Sequence, residues 1–440
     1  MHVSALLTLL PFISLAYASP LTERSEAFDV SKHLGNLSPY FSAPAPSGGV
    51  QNDLPGDCKV DQVILMHRHG ARFPLSSELV FIQNLAAKLV NSTDAIQKAK
   101  LPGNLQFLKE GYKSTLGHDN LTAIGRAELF DHGAQFKLKY PDLVPTSVLA
   151  GLQDRVIESA QWFANGYFGR DWAALNATMF QTIPEDNVTI SWITPMGTCR
   201  NWQYAYGNNA TIAWGAHYLP PITKRLNKLL PAVNLTTDNV HGALYACAYD
   251  GAAYGLDKSP WCSAFTPSEI EDFEYELDLL MDGAFGYNLP GDMGPVLGSV
   301  YVNTLLDRLT NETGTAEEVY LEFGHDTTID LALVGLGLVE DIPGLSTSSR
   351  KSGRKFRTSL QVPFGAQMVW ERFSCEKTLV GRQVRLVLND AVVPLVGCAS
   401  GKEKMYGSCE VGEFVKSQSK ARGIKWGDAT WNATCGDAGF

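Results

Sequence analysis

The chain has 440 residues, of which 45% are hydrophobic and 19% are charged. This balance is typical of globular proteins and excludes wholesale disorder, a collagen-like chain or a low-complexity chain. The formal net charge of −10 also argues against general nucleic-acid binding, which depends on Lys and Arg that neutralise phosphates.

The N-terminus is an apolar run over residues 4–18 that ends in Ala16-Tyr17-Ala18. The run is too short for a membrane span and ends in a cleavage pattern, so we predict a signal peptide at residues 1–18. Residues 19–56 include a Pro- and Gly-rich stretch and are predicted to form an N-terminal arm or linker. No later stretch is long and apolar enough to span a membrane. We therefore expect a secreted protein, in the extracellular medium, the periplasmic space or the cell wall.

Two strand-to-helix units follow the same pattern. A short, β-branched apolar run at residues 60–66 predicts a buried strand, and a helix is predicted from about residue 78 to 90. Further along the chain, an apolar strand at residues 320–323 precedes Gly324-His325-Asp326 and a helix at residues 327–338. Ligands of α/β proteins commonly bind where such strands end.

The other predicted elements are helices and alternating strands. They comprise helices at residues 121–140, 155–168 and 268–281, a basic polar loop at residues 346–355, and antiparallel strands at residues 367–372 and 384–388. Together these elements predict an α/β fold.

The cysteine and sequon content agrees with secretion. The eight cysteines form no C-x-x-C motif, so we expect four disulfides in an oxidising compartment, with 105 possible pairings. The sequon at Asn36 is weakened by Pro39. The other N-x-S/T sequons predict glycosylation at Asn91, Asn120, Asn176, Asn187, Asn209, Asn234, Asn311 and Asn432.

The densest cluster of functional side chains is Arg68-His69-Gly70-Ala71-Arg72-Phe73-Pro74, directly after the first predicted strand. Guanidinium groups hold oxyanions by paired hydrogen bonds. Positive neighbours lower the pKa of an imidazole, so His69 could remain an unprotonated nucleophile in acid. The alternative is a solvated basic turn, which the full heptamer makes a poor explanation.

Two further candidates are ambiguous when taken alone. Arg155 could form an ion pair on a helix surface with Asp154 or Glu158. His325-Asp326 could cap a helix, with the carboxylate accepting backbone N–H groups. Such a cap is compatible with a role in an active site.

Other catalytic motifs are missing from the sequence. No H-E-x-x-H, G-x-x-x-x-G-K-[ST] or G-x-S-x-G occurs, which argues against a zincin, a P-loop enzyme and a typical α/β-hydrolase. The four histidines His118, His132, His217 and His241 lack metal-ligand spacing. We therefore predict no metal and no cofactor.

The sequence resembles the histidine acid phosphatase family, branch two, in its fungal secreted form with acid phosphatases and phytases. The resemblance covers nearly all of the chain after the signal peptide. It includes R-H-G-A-R-F-P at residues 68–74, L-T-x-x-G at 121–125, the segment 153–160, F-E-Y-E-L-D-L at 273–279 and G-H-D at 324–326. Gly324 stands where relatives often have Ser or Thr.

The resemblance implies a role for each matching residue. His69 would be the nucleophile, and Asp326 would be the acid that protonates the leaving alcohol. The groups that would hold the phosphate oxygens are Arg68, Arg72, Arg155 and His325. Because the arginines supply positive charge and the acid handles the leaving group, this set is complete for phosphoryl transfer without a metal.

The same resemblance implies a fold and a disulfide pattern. It implies a phosphoglycerate-mutase-like fold with two domains. The larger is an α/β domain with a mixed sheet flanked by helices, formed by residues 57–165 and 300–440. The smaller is a mainly helical insertion, formed by residues 166–299. The implied disulfides are Cys58–Cys375, Cys199–Cys435, Cys247–Cys262 and Cys398–Cys409.

The expected substrates are small phosphate esters, cleaved through a phosphohistidine. The alternative to a broad acid phosphatase is a dedicated phytase. Phytate-preferring relatives often carry lysines just after the heptamer, whereas Leu75-Ser76-Ser77-Glu78 follows here, which favours the broader enzyme. A phosphoglycerate-mutase-like phosphotransferase fits poorly with secretion. A non-catalytic glycoprotein fits poorly with the presence of His69 and Asp326.

Overall fold

The computed structural model describes residues 28–46, 48–185, 191–312, 314–395 and 397–437. The predicted signal peptide and Asn187 lie outside the described residues. The strands are β1 (Cys58–Arg68), β2 (Val148–Gly151), β3 (Phe180–Ile183), β4 (Val319–Gly324), β5 (Gln367–Cys375), β6 (Arg382–Leu388), β7 (Ala391–Val393) and β8 (Cys409–Glu410).

The longer helices include all those predicted from the sequence, with ends that shift by a few residues. They are α1 (Ser76–Val90), α4 (Ala123–Lys139), α5 (Asp154–Phe168), α7 (Ala205–Leu229), α8 (Thr237–Tyr254), α9 (Pro267–Phe285), α10 (Met293–Thr310) and α11 (Asp326–Gly335). The shorter helices are α2 (Thr93–Lys98), α3 (Phe107–Glu110), α6 (Trp172–Met179), α12 (Thr358–Gln361), α13 (Glu403–Tyr406), α14 (Val411–Ser417), α15 (Ser419–Arg422) and α16 (Ala429–Cys435).

The strands form one mixed sheet in the order β3-β2-β4-β1-β5-β6-β7, with β8 paired to β6. Strands β3, β2, β4 and β1 run parallel, and β5, β6 and β7 continue the sheet in antiparallel fashion. This arrangement confirms the predicted α/β fold with a mixed sheet. It also places the carboxyl ends of β2, β4 and β1 side by side at one edge.

Strand β1 shows why the sheet is covered on both faces. Val63 and Leu65 pack against α4 and α5, whereas Ile64 and Met66 pack against α10 and α11. All four side chains are fully buried. A continuous apolar run is the pattern of a strand with both faces in the core.

Helices α7, α8 and α9 pack on one another and on α1 in a further apolar cluster. Their range lies within the predicted helical insertion, although strand β3 in the same range pairs at the edge of the sheet. The division into two domains stays a prediction.

Part of the predicted N-terminal arm packs into the core instead of extending from it. Leu34 and Leu37 lie in the same cluster as α9 and are 1% exposed. A Cβ atom on Gly35 would lie 2.7 Å from Cβ of Leu277, so this segment lies directly against α9. The apolar pair Leu34 and Leu37, three residues apart, explains the docking.

Four disulfides form with the pairings that the resemblance implied. Cys58 and Cys375 are direct cross-strand partners of β1 and β5. None of the helices in the described ranges is both long and apolar enough to span a membrane. Exposed sequon asparagines are Asn91, Asn120, Asn209, Asn234 and Asn311, while Asn176 and Asn432 are half-buried.

Candidate active site

Three neighbouring strands bring the six predicted site residues to one edge of the sheet. Arg68 ends β1 opposite Gly324, the last residue of β4, and the backbone N–H of His69 donates to the carbonyl of Gly324. His325 and Asp326 follow β4 directly. Arg155 lies in the first turn of α5, shortly after β2. The rings of His69 and His325 meet edge-on at 5.7 Å between their centroids.

The loop after β1 is held by contacts between backbones. A Cβ atom on Gly125 would lie 2.2 Å from the carbonyl oxygen of Ala71, so only glycine fits at the start of α4. The hydroxyl of Thr122 accepts from the N–H of Gly125 at 3.1 Å, which caps the helix. The L-T-x-x-G motif therefore fixes the position of the loop that carries His69.

His69 is held in one tautomer. Its Nδ1 atom lies 2.9 Å from the carbonyl oxygen of Gly70, which can only accept, so Nδ1 carries the hydrogen. The lone pair is therefore on Nε2. Burial, together with the charges of Arg155, Arg68, His325 and Arg72, holds the pKa of His69 well below its usual range. The ring can thus remain a neutral nucleophile in acid.

Each of the three arginines has a buried Nε donor without a partner. The Nε atoms of Arg68, Arg72 and Arg155 are all buried and have no hydrogen-bond partner among the described residues. All three guanidinium groups are close enough to His69 to lower its pKa. A buried donor without a partner is costly, so a cluster of three implies an oxyanion that binds between them.

The Nη1 donors of Arg68 and Arg72 are committed to the protein. Nη1 of Arg68 donates to the carbonyls of Asn36 and Val362. Nη1 of Arg72 donates to the hydroxyl of Tyr249 at 3.1 Å. These bonds fix the orientation of both guanidinium planes.

Arg155 does not form the surface ion pair considered as an alternative. Glu158, one of its two candidate partners, pairs instead with Arg126, with Oε1 2.5 Å from Nε. Burial lowers the pKa of Arg155, and Arg72 adds a like charge. Arg155 therefore contributes positive charge to the site.

Asp326 is in contact with both a cation and an amide. Its Oδ2 atom lies 2.8 Å from Nη2 of Arg68 and accepts from Nδ2 of Asn36 at 2.9 Å. Its Oδ1 atom accepts from the backbone N–H of Thr327, while His325, and not Asp326, occupies the N-cap position of α11. Burial by itself raises the pKa of Asp326. The charge of Arg68, the hydrogen bond from Asn36 and the charge of Arg72 together outweigh burial, so the pKa lies below its usual value.

Five residues of this site were missed by the sequence analysis: Asn36, Glu78, Glu128, Glu185 and Tyr249. Asn36 contacts Asp326, Glu128 accepts from the N–H of Ala71 at 3.0 Å, and Glu185 lies 2.8 Å from Nε2 of His325. Glu78 accepts from the N–H of Leu75 and from the hydroxyl of Tyr249, both at 2.6 Å. An acidic residue in the first turn of a helix is a capping pattern, so Glu78 alone had a recognisable sequence signature.

Comparisons with known proteins agree with this geometry. Residues 59–389 match the sequence model of the histidine phosphatase superfamily (branch 2). The thiamine-repressible acid phosphatase of Schizosaccharomyces pombe is 31% identical, over 93% of this chain and 91% of its own. Phytase A of Emericella nidulans is 32% identical, over 90% of each chain.

A solved structure supports the same assignment. The crystal structure of the phytase from D. castellii superposes with a TM-score of 0.81 at 25% sequence identity, covering 95% of this chain and 91% of that one. The likeness thus extends over the sheet and the helices that hold the site. The chain belongs to branch 2 of the histidine phosphatase superfamily and is a phosphatase of that family.

Proposed function

We propose that the chain is a secreted acid phosphatase that hydrolyses phosphomonoesters through a phosphohistidine at His69. The observation that carries the proposal is the set of three buried, unpartnered Nε donors around a histidine whose Nε2 atom is free of a proton. An anion held by these donors would have its phosphorus next to the nucleophile. The domain division given by the resemblance and the roles below belong to the same proposal.

In the first step, Nε2 of His69 attacks phosphorus while the P–O bond to the alcohol breaks. Arg68, Arg72, Arg155 and His325 stabilise the charge on the transferring oxygens. Asp326 gives its proton to the leaving alkoxide, which departs as the alcohol.

In the second step, a water molecule attacks the phosphohistidine and the P–N bond breaks. The carboxylate of Asp326 now takes a proton from that water, which restores its acid form. Inorganic phosphate leaves, and His69 returns to its starting state. Two easier displacements thus replace one direct attack by water.

A dedicated phytase is the second candidate, and it is supported by the likeness to Phytase A of Emericella nidulans and to the phytase from D. castellii. The segment Leu75–Glu78 without lysine favours the broader acid phosphatase. Secretion is supported by the apolar run at residues 4–18 and by the four disulfides. The experiment for secretion is N-terminal sequencing of the protein from culture medium, with a start at residue 19 expected.

The test of the mechanism is a single turnover with a substrate labelled in its phosphoryl group, stopped in alkali because phosphohistidine is acid-labile. We expect the label on His69 and none in His69→Asn. The variant His118→Asn, which changes an exposed histidine, is the matched control and should label normally. Label on a serine or an aspartate, or label retained by His69→Asn, would show that the nucleophile is a different residue.

A further inference from the structure

A cleft of about 750 Å³ opens next to the proposed phosphate site, between α1 and helices α7, α8 and α9. Glu78 connects the cleft to the phosphate site. It lines the cleft, and its Oε2 atom lies 3.4 Å from Nη1 of Arg72. Tyr204 also lines the cleft, and its pKa is raised by burial and by the charges of Glu78 and Asp326. The cleft is therefore where the alcohol part of a bound ester would lie.

The charged groups of this cleft are mostly negative. It is lined by three carboxylates, Glu78, Asp238 and Glu276, and by one imidazole, His241, and no lysine or arginine of the described ranges lines it. Nε2 of His241 lies 2.8 Å from Oε1 of Glu276. Burial by itself lowers the pKa of His241. The nearby Glu276, together with Asp238 and Glu78, outweighs burial and raises this pKa. Glu78 pairs with Arg72 and Glu276 pairs with His241, so even with this imidazole protonated Asp238 leaves the cleft with a negative charge.

The uncharged walls are aromatic and aliphatic. Phe81 of α1 and Tyr245 of α8 lie 6.1 Å apart between ring centroids, and Tyr204 stands at the start of α7. Leu219 and Leu280 add aliphatic surface. Aromatic faces with nearby carboxylates attract organic cations by cation–π and Coulomb interactions.

We propose that this cleft selects phosphomonoesters whose alcohol is apolar or aromatic and carries a positive charge, and that it disfavours polyanionic esters. The inference rests on the proposed phosphatase function and deepens it. A hexakisphosphate would bring additional phosphates against Glu78, Asp238 and Glu276, where like charges repel each other. A cationic aryl group would instead meet carboxylates and ring faces.

The test is a pair of aryl esters that differ in the sign of one charge. 4-(2-Aminoethyl)phenyl phosphate is cationic at its far end, and the phosphate of 3-(4-hydroxyphenyl)propionate is anionic there. Both leaving groups are alkyl-substituted phenols of similar size, so the chemistry of the phosphoryl group is matched. We expect kcat/KM to be about tenfold higher for the cationic ester, which corresponds to about 1.4 kcal/mol.

Asp238→Lys tests whether the cleft causes the preference. Asp238 is exposed and is the second residue of α8, so its replacement leaves the core intact. We expect the ratio of the two kcat/KM values to fall severalfold, and Asp238→Asn to move it part of the way. Asp94→Lys is the matched control, because Asp94 is an exposed second residue of α2 outside the cleft. It should leave the ratio unchanged.

The outcomes separate this inference from the phosphatase proposal. Equal kcat/KM values for the two esters, a preference for the anionic ester, or a higher kcat/KM for phytate than for the cationic ester would overturn the inference. A preference that Asp238→Lys leaves unaltered would also contradict it. In each case, hydrolysis of p-nitrophenyl phosphate would still support the phosphatase. If the protein hydrolysed none of these esters, the proposal that it is a phosphatase would itself be contradicted.

Discussion

The guanidinium of Arg68 lies against the carboxylate of Asp326, with 2.8 Å between Nη2 and Oδ2. Because both groups are buried, this contact favours the ionised carboxylate in the ligand-free protein. Burial by itself would raise the pKa of Asp326. The structure shows that Arg68 and Asn36 outweigh burial and lower it. We infer that the general acid acquires its proton at acid pH, or when a phosphate dianion binds beside it.

Asn36 gives a direct test of this electrostatic arrangement. Its side chain donates to Oδ2 of Asp326 and so favours the charged form. In Asn36→Ala we expect the pKa of Asp326 to rise and the alkaline limb of the kcat/KM profile to move to higher pH. The backbone carbonyl that accepts from Arg68 is retained in this variant.

The measurement is the pH profile of kcat/KM with an alkyl phosphate. Asn91→Ala, at an exposed sequon asparagine outside the site, is the control and should leave the limb in place. An alkaline limb that moves to lower pH in Asn36→Ala would contradict the proposed role of the hydrogen bond.

Arg155 provides the corresponding test for the nucleophile. After burial, its charge is the largest contribution that lowers the pKa of His69. In Arg155→Met the pKa of His69 should rise, so the free base is lost at a higher pH and the acid limb of kcat/KM moves upward. Loss of one oxyanion donor should also reduce kcat by about 10²–10³-fold. Arg126→Met, which breaks the ion pair with Glu158, is the control. An unshifted acid limb in Arg155→Met would show that this charge does not act on His69.

The local parts of the site could be predicted, and the contacts across the fold could not. The strand-to-helix pattern predicted where His69 and Asp326 lie, because each unit is continuous in sequence. Asn36 meets Asp326 from a position 290 residues away, and Tyr249 meets Arg72 from 177 residues away. No periodicity in the sequence encodes such contacts.

The basic loop at residues 346–355 illustrates the same limit. The sequence shows only that the loop is basic and polar, and in the structure Arg354 pairs with the buried acids Asp278 and Glu274 of α9. Just beyond the loop, Nε of Arg357 lies 3.0 Å from Oε1 of Glu274. Buried charges are tolerated when they are paired, and sequence alone does not show which groups pair.

A hydrogen-bonded pair of histidines, the buried His67 and the half-buried His132, makes stability depend on pH. Nδ1 of His67 lies 2.6 Å from the carbonyl of Arg68, so its Nε2 accepts from Nδ1 of His132 at 3.0 Å. Burial lowers the pKa of His132 to about 4. The unfolded chain therefore binds more protons than the folded protein between about pH 6.5 and 4, so stability falls as the pH falls through this range. The loss from His132 is on the order of 3 kcal/mol.

His132→Asn retains a side-chain N–H donor for His67 and removes the titrating group. We expect its free energy of unfolding to decline less than that of the parent protein between pH 7 and pH 4.5. Urea unfolding at the two pH values measures this difference. His217→Asn, at an exposed position, is the control. An identical decline in His132→Asn and the parent would show that acid sensitivity arises elsewhere.

Asp326→Asn tests the proposed general acid with leaving groups of different basicity. An alkoxide is a strong base and needs a proton in the transition state, whereas nitrophenolate is stable enough to leave with little assistance. Asparagine keeps the shape of the side chain and its hydrogen-bonding oxygen, and it cannot supply an acidic proton. We expect kcat on glycerol phosphate to fall by about 10²–10⁴-fold, and kcat on p-nitrophenyl phosphate to fall clearly less.

The comparison between substrates separates proton transfer from simple positioning. The Asp326→Asn variant also loses the charge that faces Arg68, so some loss common to both substrates is expected from the altered clamp. Dividing the loss on glycerol phosphate by the loss on p-nitrophenyl phosphate removes that common part and leaves the assistance to the leaving group. Binding of inorganic phosphate and an unchanged thermal midpoint would establish that the variant is folded with its anion site intact. Equal losses on the two substrates in such a variant would mean that Asp326 orients Arg68 and that the proton comes from another group.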